Sequence, residues 1–85
     1  MVYKVLYKSS VEKDLKKLDK TIISTILSRI ESTLSENPYF GSKLSGYSPV
    51  SYRLRIGIYR IIYTIDEGTK AVVVHKIGHR KEVYR

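Results

Sequence analysis

Three arginines in the stretch "YRLRIGIYRIIYTI", residues 52–65, are spaced so that they could bind an anion together. Arg53 and Arg55 are two positions apart, so in a strand both side chains point to one face. Burial of the apolar residues against helices would leave Arg60, on the next strand, on that same open face. Like charges grouped on one face repel, and a guanidinium fork binds phosphate in a bidentate manner. The grouping therefore indicates a bound anion, although any one of these arginines alone is more typical of a solvated strand.

The C-terminal segment "GHRKEVYR" brings a second group of candidates, His79, Arg80 and Tyr84, with Lys81 and Arg85 nearby. Tyrosine rings stack on unpaired nucleobases with about 1–3 kcal/mol each. The eight tyrosines of the chain are also ordinary strand residues with a solvated hydroxyl. The two segments together predict a site for a phosphate-bearing ligand.

The net charge points to the same class of partner. The chain of 85 residues holds 16 Lys and Arg against 8 Asp and Glu, a formal charge of +8. Residues 1–50 contain eight basic and five acidic residues, or +3, whereas residues 51–85 contain eight and three, or +5. This excess favours a polyanionic partner, either nucleic acid or an acidic protein segment, over a merely basic, soluble surface.

The N-terminal half has the pattern of one strand followed by two helices. Residues Val2–Lys8 alternate as a strand does. Ser9 with Glu12 three residues later is a capping-box signature for a first helix. Asp19 can cap a second helix, whose apolar stripe ends before Pro38. The two amphipathic helices form a hairpin that needs a partner surface.

The C-terminal half predicts that partner surface. The segment "YFGSKLSGYSPVS" is expected to be a connecting loop, with at most a short ordered turn near Lys43. Three strands follow, at about Tyr52–Ile56, Tyr59–Ile65 and Ala71–Ile77, separated by a tight turn at Gly57 and by "DEGTK". The order β-α-α-β-β-β predicts a single α+β domain over residues 1–85, with the helical hairpin on one face of a mainly antiparallel sheet.

Several classes of function are disfavoured by composition. The chain has no cysteine, and no His, Asp or Glu cluster has the spacing of a metal site. No glycine pattern resembles a nucleotide-binding loop, so we expect neither a metal nor a cofactor. His75 lies in mid-strand, in phase with Val73 and Ile77, and is interpreted as structural. No apolar run could cross a membrane and no signal peptide is recognisable, so a cytoplasmic location is expected.

Two motifs in order, "KLSGY…SYRLRIGIYRIIYTID" and "VVVHKIGHRKEVYR", resemble the RelE branch of the RelE/ParE toxin superfamily of bacterial and archaeal toxin–antitoxin modules. The resemblance covers essentially the whole chain. It implies a compact microbial-RNase-like fold and a metal-independent endoribonuclease that cuts mRNA in the ribosomal A site. It also implies a cognate antitoxin that wraps the toxin and blocks it.

The resemblance also implies which residues form the catalytic site. Arg53 and Arg55 match two basic hairpin positions that are lysines in the best-known RelE members. Arg60 matches the family's hairpin arginine, Arg80 its tail arginine after glycine, and Tyr84 its C-terminal tyrosine. The arginines are expected to bind phosphate.

The exchange of lysine for arginine leaves the source of proton transfer open. RNA cleavage of this type requires a deprotonated 2′-OH, a stabilised phosphorane and a protonated 5′-oxygen. Arginine, with a pKa above about 12, cannot act as the base. The alternatives are His79, whose imidazole suits neutral pH, Tyr84, or orientation of the 2′-OH by the ribosome.

The sequence therefore predicts the toxin of a type II toxin–antitoxin module, acting as a ribosome-dependent endoribonuclease. The expected partners are the cognate antitoxin, the ribosome and mRNA, with operator DNA bound through the antitoxin and no membrane contact. Two alternatives stay open at this point. One is a ParE-like toxin that inhibits DNA gyrase, and the other is a degenerate toxin that only binds antitoxin or RNA.

Overall fold

The periodicity of apolar residues sets the order of the elements in the computed structural model, which describes residues 2–46 and 50–79. The elements are β1 (Lys4–Tyr7), α1 (Ser9–Leu15), α2 (Lys20–Leu34), β2 (Ser42–Leu44), β3 (Ser51–Ile56), β4 (Tyr59–Asp66) and β5 (Ala71–His79). None of the helices in the described ranges is long and apolar enough to cross a membrane.

The strands form one sheet in the order β1-β5-β4-β3-β2. β1 runs parallel to β5, and the other three neighbouring pairs are antiparallel. The helices cover one face of this sheet. The predicted α+β class, with a helical hairpin on a mainly antiparallel sheet, is thereby confirmed.

The short strand β2 lies in the segment that the sequence predicted to be a loop. Ser42 pairs with Arg53 and Leu44 pairs with Ser51, so β2 extends the sheet at the free edge of β3. The triplet Ser-Lys-Leu has little strand propensity of its own. The strand therefore forms because it pairs with the edge of β3, and no local sequence pattern predicts it.

The core lies between α2, α1 and the covered face of the sheet. Its largest fully buried side chains are Tyr63, Ile26, Ile30, Leu34, Ile61, Ile77, Val11, Val72 and Val74. Ile26, Ile30 and Leu34 lie four residues apart along α2, which places them on one side of that helix. Each buried aliphatic side chain of this kind contributes about 1.5–3 kcal/mol, so the stripe of α2 holds the helix on the sheet.

The first helix begins without the predicted capping box. Lys8 occupies the N-cap position in extended conformation, and no side chain caps the helix. The Lys8 amide donates to the Val74 carbonyl at 3.0 Å, and the Lys8 carbonyl accepts from Val11 at 2.9 Å. Lys8 makes a hydrogen bond to β5 through its amide and one to the first helical turn through its carbonyl, so the helix already includes Ser9. The capping role predicted for Ser9 is wrong.

Asp14 attaches α1 to the edge of β5 beyond the end of β1. Its carboxylate accepts from the Ile77 amide at 3.2 Å and from the Lys76 ammonium at 3.1 Å. β1 pairs with β5 only from Ala71 to Val74, so the Ile77 amide has no strand neighbour on that side. The Asp14 side chain is only 11% exposed. The carboxylate thus replaces a missing strand and protects an edge that would otherwise attract another chain.

We expect Asp14→Ala to lower the free energy of unfolding by about 1–3 kcal/mol, because it leaves the Ile77 amide without its acceptor. Urea unfolding measures the difference. Lys13→Ala, at an exposed position of the same helix, serves as the control and should change stability by no more than about 0.5 kcal/mol. Equal effects of the two substitutions would contradict this role for Asp14.

Candidate nucleic-acid interface

The β3–β4 hairpin determines where its three arginines stand. Gly57 adopts φ of 60°, a conformation that glycine allows without strain, and Ile56 pairs directly with Tyr59 across the two-residue turn. In this register Arg55 lies directly opposite Arg60. Directly opposed residues of antiparallel strands have Cβ atoms about 4.5–5.5 Å apart. The two charged side chains are therefore neighbours on one face.

Arg53 belongs to the same face, which is the one turned away from the helices. It pairs with Ile62, and the intervening Leu54 and Ile61 are buried in the core. Strand side chains alternate, so burial of Leu54 forces Arg53 and Arg55 to the opposite side. The predicted placement of Arg53, Arg55 and Arg60 together on the open face agrees with the structure. Burial of Leu54 and Ile61 on one face of the hairpin therefore places the charged arginine side chains on the other face.

Acidic residues are remote from this arginine face in the described part of the chain. Asp66 shares the parity of Arg60 on β4 but follows it by six residues, or about 20 Å along an extended strand. Its carboxylate accepts from the Gly68 and Thr69 amides at 3.0 and 3.3 Å and so belongs to the β4–β5 turn. Within residues 2–46 and 50–79, the three arginines therefore form a positively charged face, which favours an anionic ligand.

An open cleft of about 360 Å³ adjoins Arg53 and Arg55. Its lining residues are Phe40, Gly41, Ser42, Arg53, Leu54 and Arg55. Its volume lies within the range of about 300–1,000 Å³ that is common for small-ligand sites. The cleft lies between β3 and the segment that connects α2 to β2. Phe40 and Gly41 form one wall of this cleft. This wall was not predicted from the sequence, because nothing in "YFGS" indicates which strand it approaches.

A buried tyrosine holds that wall in place. The Tyr63 hydroxyl donates to the Pro38 carbonyl at 2.8 Å and accepts from the Gly41 amide at 3.0 Å. Desolvation is the main cause that raises the pKa of Tyr63 to about 12. A Cβ atom at Gly41 would lie 2.5 Å from both the Arg53 carbonyl oxygen and the Tyr63 hydroxyl. Only glycine fits this approach, and the backbone of the wall is therefore anchored to β3 and β4.

Glu67 anchors Tyr39, the residue before Phe40 in the same segment. Its carboxylate accepts hydrogen bonds from Tyr39, from Lys70 at 2.9 Å and from Tyr3 at 2.8 Å. The bond from Tyr39 is the main cause that lowers the pKa of Glu67 to about 2, and those from Lys70 and Tyr3 add to it. The Tyr39 ring also packs edge-on against Tyr52, with centroids 5.8 Å apart. Tyr39 is thus engaged in the fold.

His79 stands on the other face of the sheet from the arginines. It pairs with Tyr59, and the two rings meet edge to face with centroids 6.4 Å apart. A pocket on the helix side brings His79 together with Asp14 and Leu18 of the helical hairpin. The structure therefore does not bring His79 to Arg53, Arg55 and Arg60, and its predicted role as the general base stays a prediction.

A β-bulge explains this placement. Ile62 pairs with Lys76 but Tyr63 pairs with Val74, so His75 is an extra residue in β5. A one-residue insertion reverses the face of every residue after it. Val72, Val74 and Ile77 are consequently all buried, so the predicted phase of His75 with Ile77 is wrong. The predicted phase of His75 with Val73 agrees with the structure, because His75 bonds to Thr64, which pairs with Val73. The bulge turns His79 to the helix side and sets Gly78 opposite Arg60.

His75 itself makes a hydrogen bond within the sheet. Its Nε2 lies 2.9 Å from the Thr64 hydroxyl oxygen, and its carbonyl accepts from the Ser10 hydroxyl at 3.5 Å. Desolvation, followed by the charge of Lys8, lowers the pKa of His75. In residues 2–46 and 50–79, no group of three or more His, Asp or Glu side chains could hold a metal ion.

Arg80 and Tyr84 lie outside the described residues, so their predicted roles stay predictions. Of the six residues predicted from the sequence, the structure brings together Arg53, Arg55 and Arg60 and separates His79 from them. The exposed Phe40 and the close-fitting Gly41 were missed. The glycine directly after two aromatic residues was the one available signal of a close backbone approach.

The comparisons of this chain with known proteins agree with one another on its family. The sequence profile described as ParE toxin of type II toxin-antitoxin system, parDE, matches residues 5–84. The toxin RelG of Mycobacterium tuberculosis is 30% identical over 86 residues, covering 100% of this chain and 99% of that relative.

Solved structures of RelE toxins have the same fold. The toxin–antitoxin complex RelBE2 of Mycobacterium tuberculosis matches with a TM-score of 0.81 and 28% identity, over 94% of this chain and 100% of the other. A mutant of the E. coli toxin RelE in complex with an antitoxin RelBc peptide matches with a TM-score of 0.77 and 26% identity, over 99% and 92%.

We expect Gly41→Ala to destabilise the fold by about 1–3 kcal/mol, because the new methyl group must displace the Arg53 carbonyl or the Tyr63 hydroxyl. Chemical denaturation provides the measurement. Gly68→Ala is the matched control, since its Cβ would approach only the Asp66 carboxylate, at 3.3 Å. If the two variants are equally stable, the close approach at Gly41 is not a constraint.

The acid limb of the stability curve should depend on Glu67. Its pKa in the folded chain is about 2, against 4.5 ordinarily. The stability that its hydrogen bonds contribute is therefore complete above about pH 4.5 and is lost as the pH falls toward 2. NMR titration of the Glu67 carboxyl should give the low value in the wild type and a higher one in Tyr39→Phe. A wild-type pKa near 4.5 would refute this assignment.

Proposed function

The chain belongs to the RelE/ParE superfamily and is the toxin of a type II toxin–antitoxin system; we propose that it acts as a RelE-type endoribonuclease on mRNA in the ribosomal A site. The observation that carries this proposal is the common face of Arg53, Arg55 and Arg60, with Arg55 directly opposite Arg60. Two arginines in directly opposed positions on one open face suit a phosphodiester, because each guanidinium fork can donate two parallel hydrogen bonds to phosphate oxygens.

The reaction begins with attack of a ribose 2′-oxygen on the adjacent phosphorus. The P–O2′ bond forms while the P–O5′ bond breaks, which yields a 2′,3′-cyclic phosphate and a free 5′-OH. Negative charge develops on the non-bridging oxygens of the phosphorane. Arg55 and Arg60 would stabilise this charge, and Arg53 would orient the strand from the cleft. Stabilisers of this kind each account for roughly 10²–10³ in rate.

Two protons must move for the reaction to balance. One leaves the 2′-OH and one is delivered to the departing 5′-oxygen. Arginine serves neither step as a base, since its pKa is above about 12. Because His79 lies on the helix side, we assign proton transfer by the protein to Tyr84, which the family resemblance supports. We retain Arg80 as a further phosphate ligand. The ribosome supplies the remaining orientation of the 2′-OH.

A cognate antitoxin is the proposed protein partner. The solved relatives include a RelBE2 toxin–antitoxin complex and a RelE mutant with an antitoxin peptide, which supports the same partnership here. The charge of +8 suits an antitoxin segment that carries acidic residues. Operator DNA would be bound by the complex through its antitoxin. Cytoplasmic location follows from a ribosomal target and is part of the same proposal.

Gyrase inhibition is the competing function, favoured by the ParE description of the matching profile. The RelG and RelE relatives and the one-sided arginine face support the nuclease over it. Inhibition of DNA supercoiling by the purified chain, with ribosome-bound mRNA left intact, would establish the competitor.

On ribosomes programmed with labelled mRNA, we expect the wild type to cut in the A-site codon and Arg60→Ala to cut about 10²–10³-fold more slowly, because transition-state charge loses a ligand. Arg29→Ala is the matched control, since Arg29 is an exposed arginine of α2 on the helix side. It should retain nearly the wild-type rate. Thermal unfolding verifies that both variants fold. Binding of the wild type to ribosomes without any cleavage would instead identify a degenerate toxin.

A further inference from the structure

Phe40 is an exposed phenylalanine at the rim of the arginine cleft. Its side chain is 63% exposed, and it lines the cleft together with Arg53 and Arg55. Single exposed apolar residues are common and need no explanation by themselves. This ring differs from such residues by its place, since it lines the same open cleft as Arg53 and Arg55.

The adjacent aromatic residue, Tyr39, has a structural role in the same segment. Tyr39 donates to Glu67 and packs against Tyr52. Tyr52 in turn stacks on the buried Tyr63, with ring centroids 5.6 Å apart. Phe40 does not belong to the buried core cluster or to the partly buried side chains packed against it. The fold therefore uses the ring of Tyr39 and leaves that of Phe40 to solvent.

The backbone that carries Phe40 is fixed on both sides. Its amide donates to the Asn37 carbonyl at 3.1 Å, and the next amide, that of Gly41, donates to the Tyr63 hydroxyl at 3.0 Å. The wall can accept no side chain at Gly41, as its contacts with Arg53 and Tyr63 require. A ring presented from an anchored backbone loses little freedom when a ligand binds, which favours affinity.

We propose that Phe40 is the stacking platform for a nucleobase next to the phosphate that Arg53 and Arg55 bind. The proposal rests on the proposed function and adds a base subsite to it. A positively charged groove with an aromatic ring beside it is the arrangement that binds single-stranded nucleic acid, where bases stack and phosphates pair with cations. An inorganic phosphate would use the guanidinium groups alone. The single-stranded RNA proposed as substrate uses both parts of the cleft.

The chain contains no tryptophan, so Phe40→Trp introduces one indole whose emission reports on this position alone. We expect a 2′-O-methylated RNA trinucleotide, which cannot be cleaved, to quench this emission saturably. An abasic trinucleotide with the same phosphates should bind more weakly and quench little, and inorganic phosphate should not quench. Equal quenching by the abasic and base-containing trinucleotides would overturn the proposal.

Affinity provides a second measurement that does not depend on fluorescence of the variant. Phe40→Ala should weaken binding of the base-containing trinucleotide by about 5- to 150-fold and leave binding of the abasic one unchanged. Ile58→Ala is the control, because Ile58 is 54% exposed but lies on the β3–β4 turn, outside the cleft. It should bind both trinucleotides as the wild type does.

The outcomes separate this inference from the nuclease assignment. If base-dependent quenching occurs but the wild type leaves ribosome-bound mRNA intact, the stacking site stands and the nuclease assignment fails. If the wild type cleaves and Phe40→Ala binds both trinucleotides normally, the stacking inference alone fails. Loss of antitoxin binding in Phe40→Ala with unchanged RNA affinity would likewise overturn it, because the ring would then belong to the antitoxin interface.

Discussion

The cross-strand register of the β3–β4 hairpin sets the positions of the three arginines. Gly57 closes the turn in two residues, which sets Arg55 opposite Arg60. Like charges in directly opposed positions destabilise a sheet. The cost is offset on the other face, where Leu54, Ile56 and Ile61 are buried against the helices. A slip of one residue would bury the arginines and expose the core, so the position of the positive charge is as well determined as the core itself.

The cleft depends on the same core through one hydroxyl group. Tyr63 is fully buried, yet its hydroxyl reaches Pro38 and Gly41 in the segment that leaves α2. That segment then forms β2 on the edge of β3 and places Phe40 beside the arginines. Helix packing, sheet pairing and the ligand surface are therefore not independent. A change that loosens the Tyr63 contacts should alter the cleft before it alters the arginine face.

The parts of the structure that follow from local rules were predictable from the sequence. Alternation with a period of two residues placed Arg53 and Arg55 on one face, and the period of the apolar stripe located α2. The errors arise where pairing overrides the local pattern. β2 exists because β3 offers a free edge, and the extra residue at His75 reverses the face of β5 and carries His79 away from the arginines. No residue type in "VVVHKIGH" announces that insertion, because a bulge depends on how two strands align.

The proposed function requires that the arginine face bind the RNA phosphates. NMR of the arginine side-chain Nε–H groups tests it most directly, with an uncleavable single-stranded RNA as ligand. Signals of Arg53, Arg55 and Arg60 should shift together and saturably, while that of Arg29, on the helix side, stays in place. Equal shifts of Arg29 and the three hairpin arginines would contradict the claim, because the chain would then bind RNA through its net charge rather than through a defined site.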